Sequence, residues 1–304
     1  MYFILGCTAS GKEHTGLALA RRLGGHIVSV DSMKIYRRMD IGTAKPTPQE
    51  RAEIVHHGID LVEPSEPFSV ARYVQYADAA IASILAAGAV PLAVGGTALY
   101  LKALTEGLFA GPSANPEIRD ELTRRAAAEG LAALHAELAA VDPQAAARIH
   151  PNDQKRIVRA LEVHRLTGEP ISRLQQQWDK PSRRYDAVMI GVRRDREDVN
   201  RRINARVKRM LERGLREEVA ALLAEPGGLS RQAAQALGYA EMIAHLRGRC
   251  TLEEAVERIK INTRQFAKRQ RTWFRRFRDV RWIDAGPDEP VERIADAAMA
   301  FLQM

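Results

Sequence analysis

The chain has 304 residues, 46% hydrophobic and 28% charged, with a net charge of +8 and a pI near 9.7. That length suits one large domain with an insertion, or two small ones, and the absence of any run near the ~20 apolar residues of a spanning helix argues against a membrane protein. The basic balance favours a polyanionic partner, and the two cysteines, Cys7 and Cys250, form no C-x-x-C pair, so neither structural zinc nor a disulfide framework is expected.

Met1-Tyr2-Phe3-Ile4-Leu5 is too short for the apolar region of a secretion signal and runs into a glycine motif, so Tyr2–Leu5 reads as a first strand of a cytoplasmic protein. A helix is expected over 13–23, a strand over 26–30, a helix over 72–87 and a strand over 90–94 ended by Gly95-Gly96. Strand and helix in alternation imply a parallel sheet covered by helices. After Pro116 the chain turns Ala- and Glu-rich, and helices are expected over 117–140 and 152–167. One more strand, over 187–192, precedes a helical remainder: 196–223, 231–246 and 252 to about 278. The expected architecture is an α/β core from residues 1–116 and 191–304, with a mainly helical insertion over 117–190.

Gly6-Cys7-Thr8-Ala9-Ser10-Gly11-Lys12 lies between the first strand and the first helix with the spacing G-x-x-x-x-G-K. Glycines let the backbone fold around an anion so that several N–H groups converge on it, and Lys12 adds a full charge. The fold class is therefore α/β with a P-loop NTPase-like parallel sheet core. The motif asks for Ser or Thr after the lysine as a Mg²⁺ ligand, but Glu13 stands there. A carboxylate can ligate Mg²⁺. Beside a bare diphosphate it would be repelled by roughly 4 kcal/mol per unit charge at ~4 Å and an effective dielectric of ~20. Glu13 is expected either to share the metal with the diphosphate or to point away.

The second strand ends in Asp31-Ser32-Met33-Lys34, and an Asp at the carboxyl end of a parallel strand beside a phosphate loop lies where ligands bind. Gly42-Thr43-Ala44-Lys45-Pro46, Gly95-Gly96-Thr97 with Leu99-Tyr100, and Asn152-Asp153 followed by Arg156 and Arg159-Ala160-Leu161-Glu162-Val163 complete the set. Together these motifs resemble the bacterial tRNA dimethylallyltransferases (isopentenyltransferases), in order from residue 2 to about residue 280.

The resemblance implies a core related to P-loop kinases, a helical insertion that helps hold the anticodon stem-loop, and a channel that admits dimethylallyl diphosphate from one end and adenine from the other. The reaction it implies is transfer of the dimethylallyl group to N6 of the adenosine 3′ of the anticodon. By motif, Asp31 is the general base, Thr97 bonds near the reacting groups, and residues 6–13 hold the diphosphate or a nucleotide. Asp31, Ser32, Met33, Lys34, Thr97, Arg119, Lys155, Arg156, Arg159, Lys268, Arg269, Arg271 and Arg275 are expected to contact tRNA, as is the Ala236-Leu237-Gly238-Tyr239 region, where the resemblance is weaker because Ala240 follows Tyr239. Mg²⁺ is the expected cofactor and a monomer the expected state.

Arg202 and Arg206 lie at i and i+4 on a helix whose other face carries Ile203, Val207, Met210 and Leu211. Either they form a solvated face or one grips the diphosphate; the resemblance favours Arg202. From Arg258 to Arg281 the chain carries ten Lys/Arg and one acid, Asp279, a local charge of +9. Lys260, Arg264, Lys268, Arg271, Arg275 and Arg278 recur at helical spacing and can face phosphates, with Phe266, Trp273, Phe274 and Phe277 turned to the core. His56 and His57 read as structural or channel-lining, and His150 and His164 as incidental. The competing readings are a small-molecule kinase using ATP and an RNA-binding relative in which Glu13 has spoiled the phosphate site.

Overall fold

A computed structural model describes residues 1–109, 111–175 and 183–302. It divides into two compact units, Met1–Leu104 with Tyr185–Met304, and Thr105–Arg184.

In the first unit, six strands among the described residues form one parallel sheet: β1 (Tyr2–Leu5), β2 (Gly25–Val30), β3 (His56–His57), β4 (Val90–Gly95), β5 (Val188–Arg193) and β6 (Val280–Asp284), in the order β3-β2-β4-β1-β5-β6. Side chains alternate across the sheet. Ile4, Ile27, Leu92, Val94, Ile190, Val192 and Ile283 pack with α1 (Lys12–Leu23) and α14 (Val291–Leu302) in one apolar cluster. Residues of opposite parity, Phe3, Leu5, Val28, Val30 and Ala93, are also fully buried. Burial of both faces is what a parallel sheet requires, and it explains why these strands read as continuous apolar runs. α3 (Val70–Ala86), capped by the Ser69 side chain, packs on β2 and β4, and its Tyr73 stacks on Tyr100 of α4 (Ala98–Glu106) with ring centroids 3.9 Å apart.

The remaining helices of this unit are α2 (Pro48–Glu53), α10 (Arg196–Glu212), α11 (Leu215–Ala224), α12 (Tyr239–Leu246) and α13 (Leu252–Phe274). The single helix expected over 196–223 is two, because Gly214 adopts φ +92° between α10 and α11. Gly130, at φ +87°, divides the expected helix over 117–140 in the same way, into α5 (Pro116–Glu129) and α6 (Leu131–Val141). The helical remainder expected after residue 192 is interrupted by β6, which pairs with β5. None of the described helices is long and apolar enough to cross a membrane.

The second unit is helical: α5, α6, α7 (Pro143–Arg148), α8 (Gln154–Thr167) and α9 (Ile171–Leu174). Leu122, Leu134, Leu138, Ile157, Leu161 and Val163 form its core. Its start at Thr105 rather than 117 has a local cause. The Asn115 N–H donates to Glu162 of α8 at 2.7 Å and the Pro112 carbonyl accepts from Arg159 at 2.8 Å, so the segment before α5 is tied to this unit. Residues 176–182 of the expected insertion lie outside the described residues.

Candidate active site

Strand register brings three motifs to one edge of the sheet. Leu5 and Val30 both pair with Gly95, so Gly6, Asp31 and Gly96 leave the carboxyl ends of β1, β2 and β4 side by side. Gly96 is required by close approach: a Cβ there would stand 2.6 Å from Gln270 Nε2 and 3.1 Å from the Gly6 carbonyl.

The loop from Gly6 to Gly11 bends around its own backbone, with Ala9 at φ +63°. A non-glycine residue held there stores about 1–3 kcal/mol, maintained by what surrounds it. The surrounding groups are identifiable. The Arg202 Nε donates to the Ala9 carbonyl at 2.9 Å and the Arg194 Nε to the Ser10 carbonyl at 2.8 Å. The Arg206 guanidinium donates to Thr8 Oγ1 at 3.3 Å. Gln270 of α13 accepts the Thr8 N–H at 2.8 Å and donates to the Gly96 carbonyl at 2.8 Å. With the Ala9 and Ser10 carbonyls taken up by arginines and the Thr8, Ser10 and Lys12 N–H groups bonded within the protein, the loop offers an anion its remaining N–H groups and the cations around them. Arg202 and Arg206 thus both reach the loop, one turn apart on α10.

Burial pulls the Lys12 and Arg206 pKa values below their ordinary range, and that of Arg202 likewise. Such desolvated cations attract an incoming polyanion more strongly than solvated ones. Burial also pushes the Cys7 thiol up, so it is not a nucleophile here. Lys12, Glu13, Lys34, His56, Arg202 and Arg206 line a cleft of about 550 Å³ that Ile27, Ile41, Ile59 and Met210 make partly apolar. His56 is thus cleft-lining, its Nδ1 bonded to the Ile54 carbonyl, whereas His57 stacks on His26.

Asp31 Oδ1 accepts the N–H groups of Met33, at 2.8 Å, and Lys34, at 3.3 Å. This Asx-type turn fixes the carboxylate. The Ser32 N–H donates to Thr97 Oγ1 at 3.1 Å, which locks the ends of β2 and β4 together. Asp31 is close enough to act electrostatically on both Lys12 and Arg206.

Glu13 does not fit the expected metal role. Its Oε2 lies 3.0 Å from Lys34 Nζ and its Oε1 3.7 Å from Lys12 Nζ, so a dication on either oxygen would stand beside two ammoniums. The next hydroxyl, Thr15, is fully buried and donates to the Gly11 carbonyl at 3.3 Å. Among the described residues no three His, Cys, Asp or Glu gather as a metal site. The same ion pair corrects Lys34: its ammonium, 5% exposed, turns into the cleft and is not an RNA-facing cation.

The other expected tRNA contacts divide. On and after α13, Lys268, Arg269, Arg275, Arg276 and Arg278 are exposed and Arg271 is half-buried. Lys260 pairs with Glu257 at 2.6 Å and Arg264 donates to Asn204 at 2.6 Å, so the basic face is concentrated at the C-terminal end. The helix stops at Phe274, and Arg275 and Arg278 lie beyond it. In the helical unit Lys155 and Arg156 are exposed at the start of α8, where Asp153 is the cap. Arg119 and Arg159 instead serve the fully buried Glu162: Arg119 through two bonds of 2.9 and 3.0 Å, Arg159 through one of 2.7 Å. Tyr239 is buried and donates to Glu218 at 2.6 Å, and Glu218 accepts the N–H groups of Asp40, Ile41 and Gly42. The 236–239 segment therefore organises the Gly42–Pro46 loop from within and is not an RNA surface.

Sequence reasoning passed over Gln270 and Arg194. Gln270 carried a signal: it sits on the buried stripe Ala255, Ile259, Ala267, Phe274, where a polar residue needs a partner.

Comparison with known proteins agrees with this geometry. An "IPP transferase" family model matches residues 34–277, and an "Isopentenyl transferase" model matches residues 1–56. The tRNA dimethylallyltransferase of Geobacter metallireducens is 48% identical over 284 residues, covering 93% of this chain and 92% of that one. That of Anaeromyxobacter dehalogenans is 49% identical over 290 residues, covering 95% and 96%. The crystal structure of the Bacillus halodurans tRNA isopentenylpyrophosphate transferase superposes with a TM-score of 0.71 at 42% identity, covering 99% of this chain and 96% of that one. A eukaryotic dimethylallyltransferase, solved in crystallographic snapshots acting on tRNA, gives 0.83 at 27% identity, covering 100% and 79%. The P-loop NTPase-like core, the motifs at its sheet edge and the relatives aligned along nearly its whole length agree: this chain belongs to the IPP transferase family.

Proposed function

We propose that this chain transfers the dimethylallyl group of dimethylallyl diphosphate to N6 of the adenosine 3′ of the anticodon in tRNA, releasing diphosphate. The observation that carries the reading is the convergence, at one sheet edge, of a phosphate cradle gripped by Arg202 and Arg206 with the fixed carboxylate of Asp31. Prenyl transfer to an amine needs both, the cradle for the departing diphosphate and the carboxylate for the amine proton.

Each part has a task. An exocyclic adenine amine is a poor nucleophile, whereas an allylic carbon spreads positive charge as its C–O bond breaks. The loop N–H groups, Lys12, Arg202 and Arg206 stabilise the diphosphate as that bond breaks. The N6–C bond forms, and the amine proton passes to the carboxylate of Asp31. Oδ1 is held by the Met33 and Lys34 N–H groups, so Oδ2 is assigned as the proton acceptor. Thr97 keeps Asp31 in register through the Ser32 N–H.

The exposed cations of the α13 terminus, with Lys155 and Arg156 on the helical unit, suit RNA phosphates, and a single-stranded loop base can be splayed out to reach the site. One chain supplies both substrate sites, which favours a working monomer, and a tRNA substrate favours the cytoplasm. The test is incorporation of labelled dimethylallyl diphosphate into unmodified tRNA by the native chain and by Asp31→Ala. Label with the native chain alone supports the reading. No label with the native chain sinks it, and ATP-dependent phosphorylation becomes the next assay.

A further inference from the structure

Lys12 and Lys34 are both buried, at 7% and 4% exposure, and both point at Glu13. They reach it from different elements, Lys12 from the head of α1 and Lys34 from the turn after β2. Two ammoniums held this close in a recess repel each other, and buried charge without a partner is strongly unfavourable. Glu13 stands between them where the phosphate-loop pattern asks for a metal-binding hydroxyl. We infer that Glu13 is an internal counter-anion: it positions Lys12 and Lys34 while the cradle is empty, yields them to the diphosphate, and makes diphosphate binding by this chain independent of Mg²⁺.

The inference rests on the proposed diphosphate site and explains how that site tolerates a carboxylate. Burial alone would raise the Glu13 carboxyl, but Lys34 and Lys12, with Arg206 behind them, bring it down to about 2. Glu13 is therefore a fixed anion at any neutral pH. An incoming diphosphate offers the two lysines more negative charge than Glu13 does, while Arg202 and Arg206 approach from α10. Glu13 competes with the ligand for the same cations. It is a positioning residue whose removal should tighten ligand binding and loosen the empty protein.

The test uses the full chain without tRNA. Binding of inorganic diphosphate is measured by titration calorimetry for the native protein, Glu13→Gln and Glu13→Thr, each in EDTA and in Mg²⁺, with thermal unfolding of every variant. The native affinity should be the same in both conditions. In EDTA, Glu13→Gln should bind diphosphate roughly tenfold tighter, as expected on removing a charge that competes for the same cations. Its unfolding temperature should be lower than native without ligand and recover with diphosphate. Glu13→Thr should gain a Mg²⁺-dependent increase in affinity, a response no merely structural role would create.

If Mg²⁺ tightens native binding and Glu13→Gln abolishes that gain, Glu13 is a metal ligand and the inference is overturned. Unchanged affinity in Glu13→Gln also overturns it, as a bystander would give that result. Native protein that binds no diphosphate at all sinks the proposed site itself, a separate outcome. Lys34→Met keeps the inference falsifiable if Glu13→Gln does not fold, since removing one of the two lysines should make Glu13 less necessary and a Glu13→Gln, Lys34→Met pair less damaged than Glu13→Gln alone.

Discussion

Gln270 and Thr8 are 262 positions apart and joined at 2.8 Å, the amide oxygen of one accepting the N–H of the other. The same amide donates to the Gly96 carbonyl, so one side chain of α13 fixes the loop after β1 to the end of β4. Gln270→Met keeps the volume and removes both bonds, leaving a buried donor and a buried acceptor unmatched at about 1–3 kcal/mol each. Chemical denaturation should report a loss of that order, and diphosphate affinity should fall because the cradle is no longer fixed.

Asp31→Asn should separate chemistry from binding. The amide oxygen can still accept the Met33 N–H, so the turn survives. The proton acceptor is gone. Turnover in the labelled-prenyl assay should drop by about 10²–10⁴-fold, the usual contribution of a general base, with KM for both substrates near native. A KM that rises while kcat holds would remove Asp31 from the chemical step.

Exposed cations at the end of α13 should act through salt. Lys268→Ala, Arg269→Ala and Arg275→Ala should each weaken tRNA binding and lower the slope of log K against log salt by ~0.7–0.9. Diphosphate affinity should not change. Fluorescence anisotropy with tRNA across a KCl series gives the slope; native slopes in all three variants would move the RNA surface elsewhere.

Glu162 links stability of the helical unit to acid. Burial raises its carboxyl, but hydrogen bonds from Arg119, Arg159 and the Asn115 N–H overcome this and leave it below the ordinary value. A depressed folded pKa means the stabilisation is complete above the unfolded value of about 4.3 and is lost as pH falls below it. Arg119 is 43% exposed and Arg159 28% exposed, so solvent screens part of the interaction. Glu162→Gln should destabilise by about 2 kcal/mol near neutral pH, less than a fully buried pair would lose. It should also flatten the acid limb of a melting-temperature profile taken from pH 6 to pH 3.

The sequence made the phosphate loop, the parallel alternation and the Asp31 and Thr97 motifs legible, because each depends on local spacing beside a strand end. Elements it left obscure depend on distant partners. β3 has two residues and exists by pairing with β2. β6 follows a strongly basic segment, and α14 buries Ala295 and Ala298 beside Ile294, a weak apolar signal. Helix breaks at Gly130 and Gly214 lay inside unbroken helical periodicity. At the site, the i, i+4 spacing of Arg202 and Arg206 left a solvated face and a phosphate grip equally open, and only the family resemblance singled out Arg202; the structure brings both to the loop. Arg194 could not be found this way: it follows β5, and only the folded chain brings it to the Ser10 carbonyl. The Glu13–Lys34 pair joins two separate elements, and neither residue alone announces it.

Synthesis order gives the arginine contacts at the loop one more consequence. The phosphate loop leaves the ribosome well before the side chains that fix its shape, which lie 184, 193 and 262 positions later. A nascent chain that has emerged only as far as β4 therefore carries the motif without the cradle. A chain cut short before α13 lacks the Gln270 bonds to Thr8 and Gly96 and should bind diphosphate poorly.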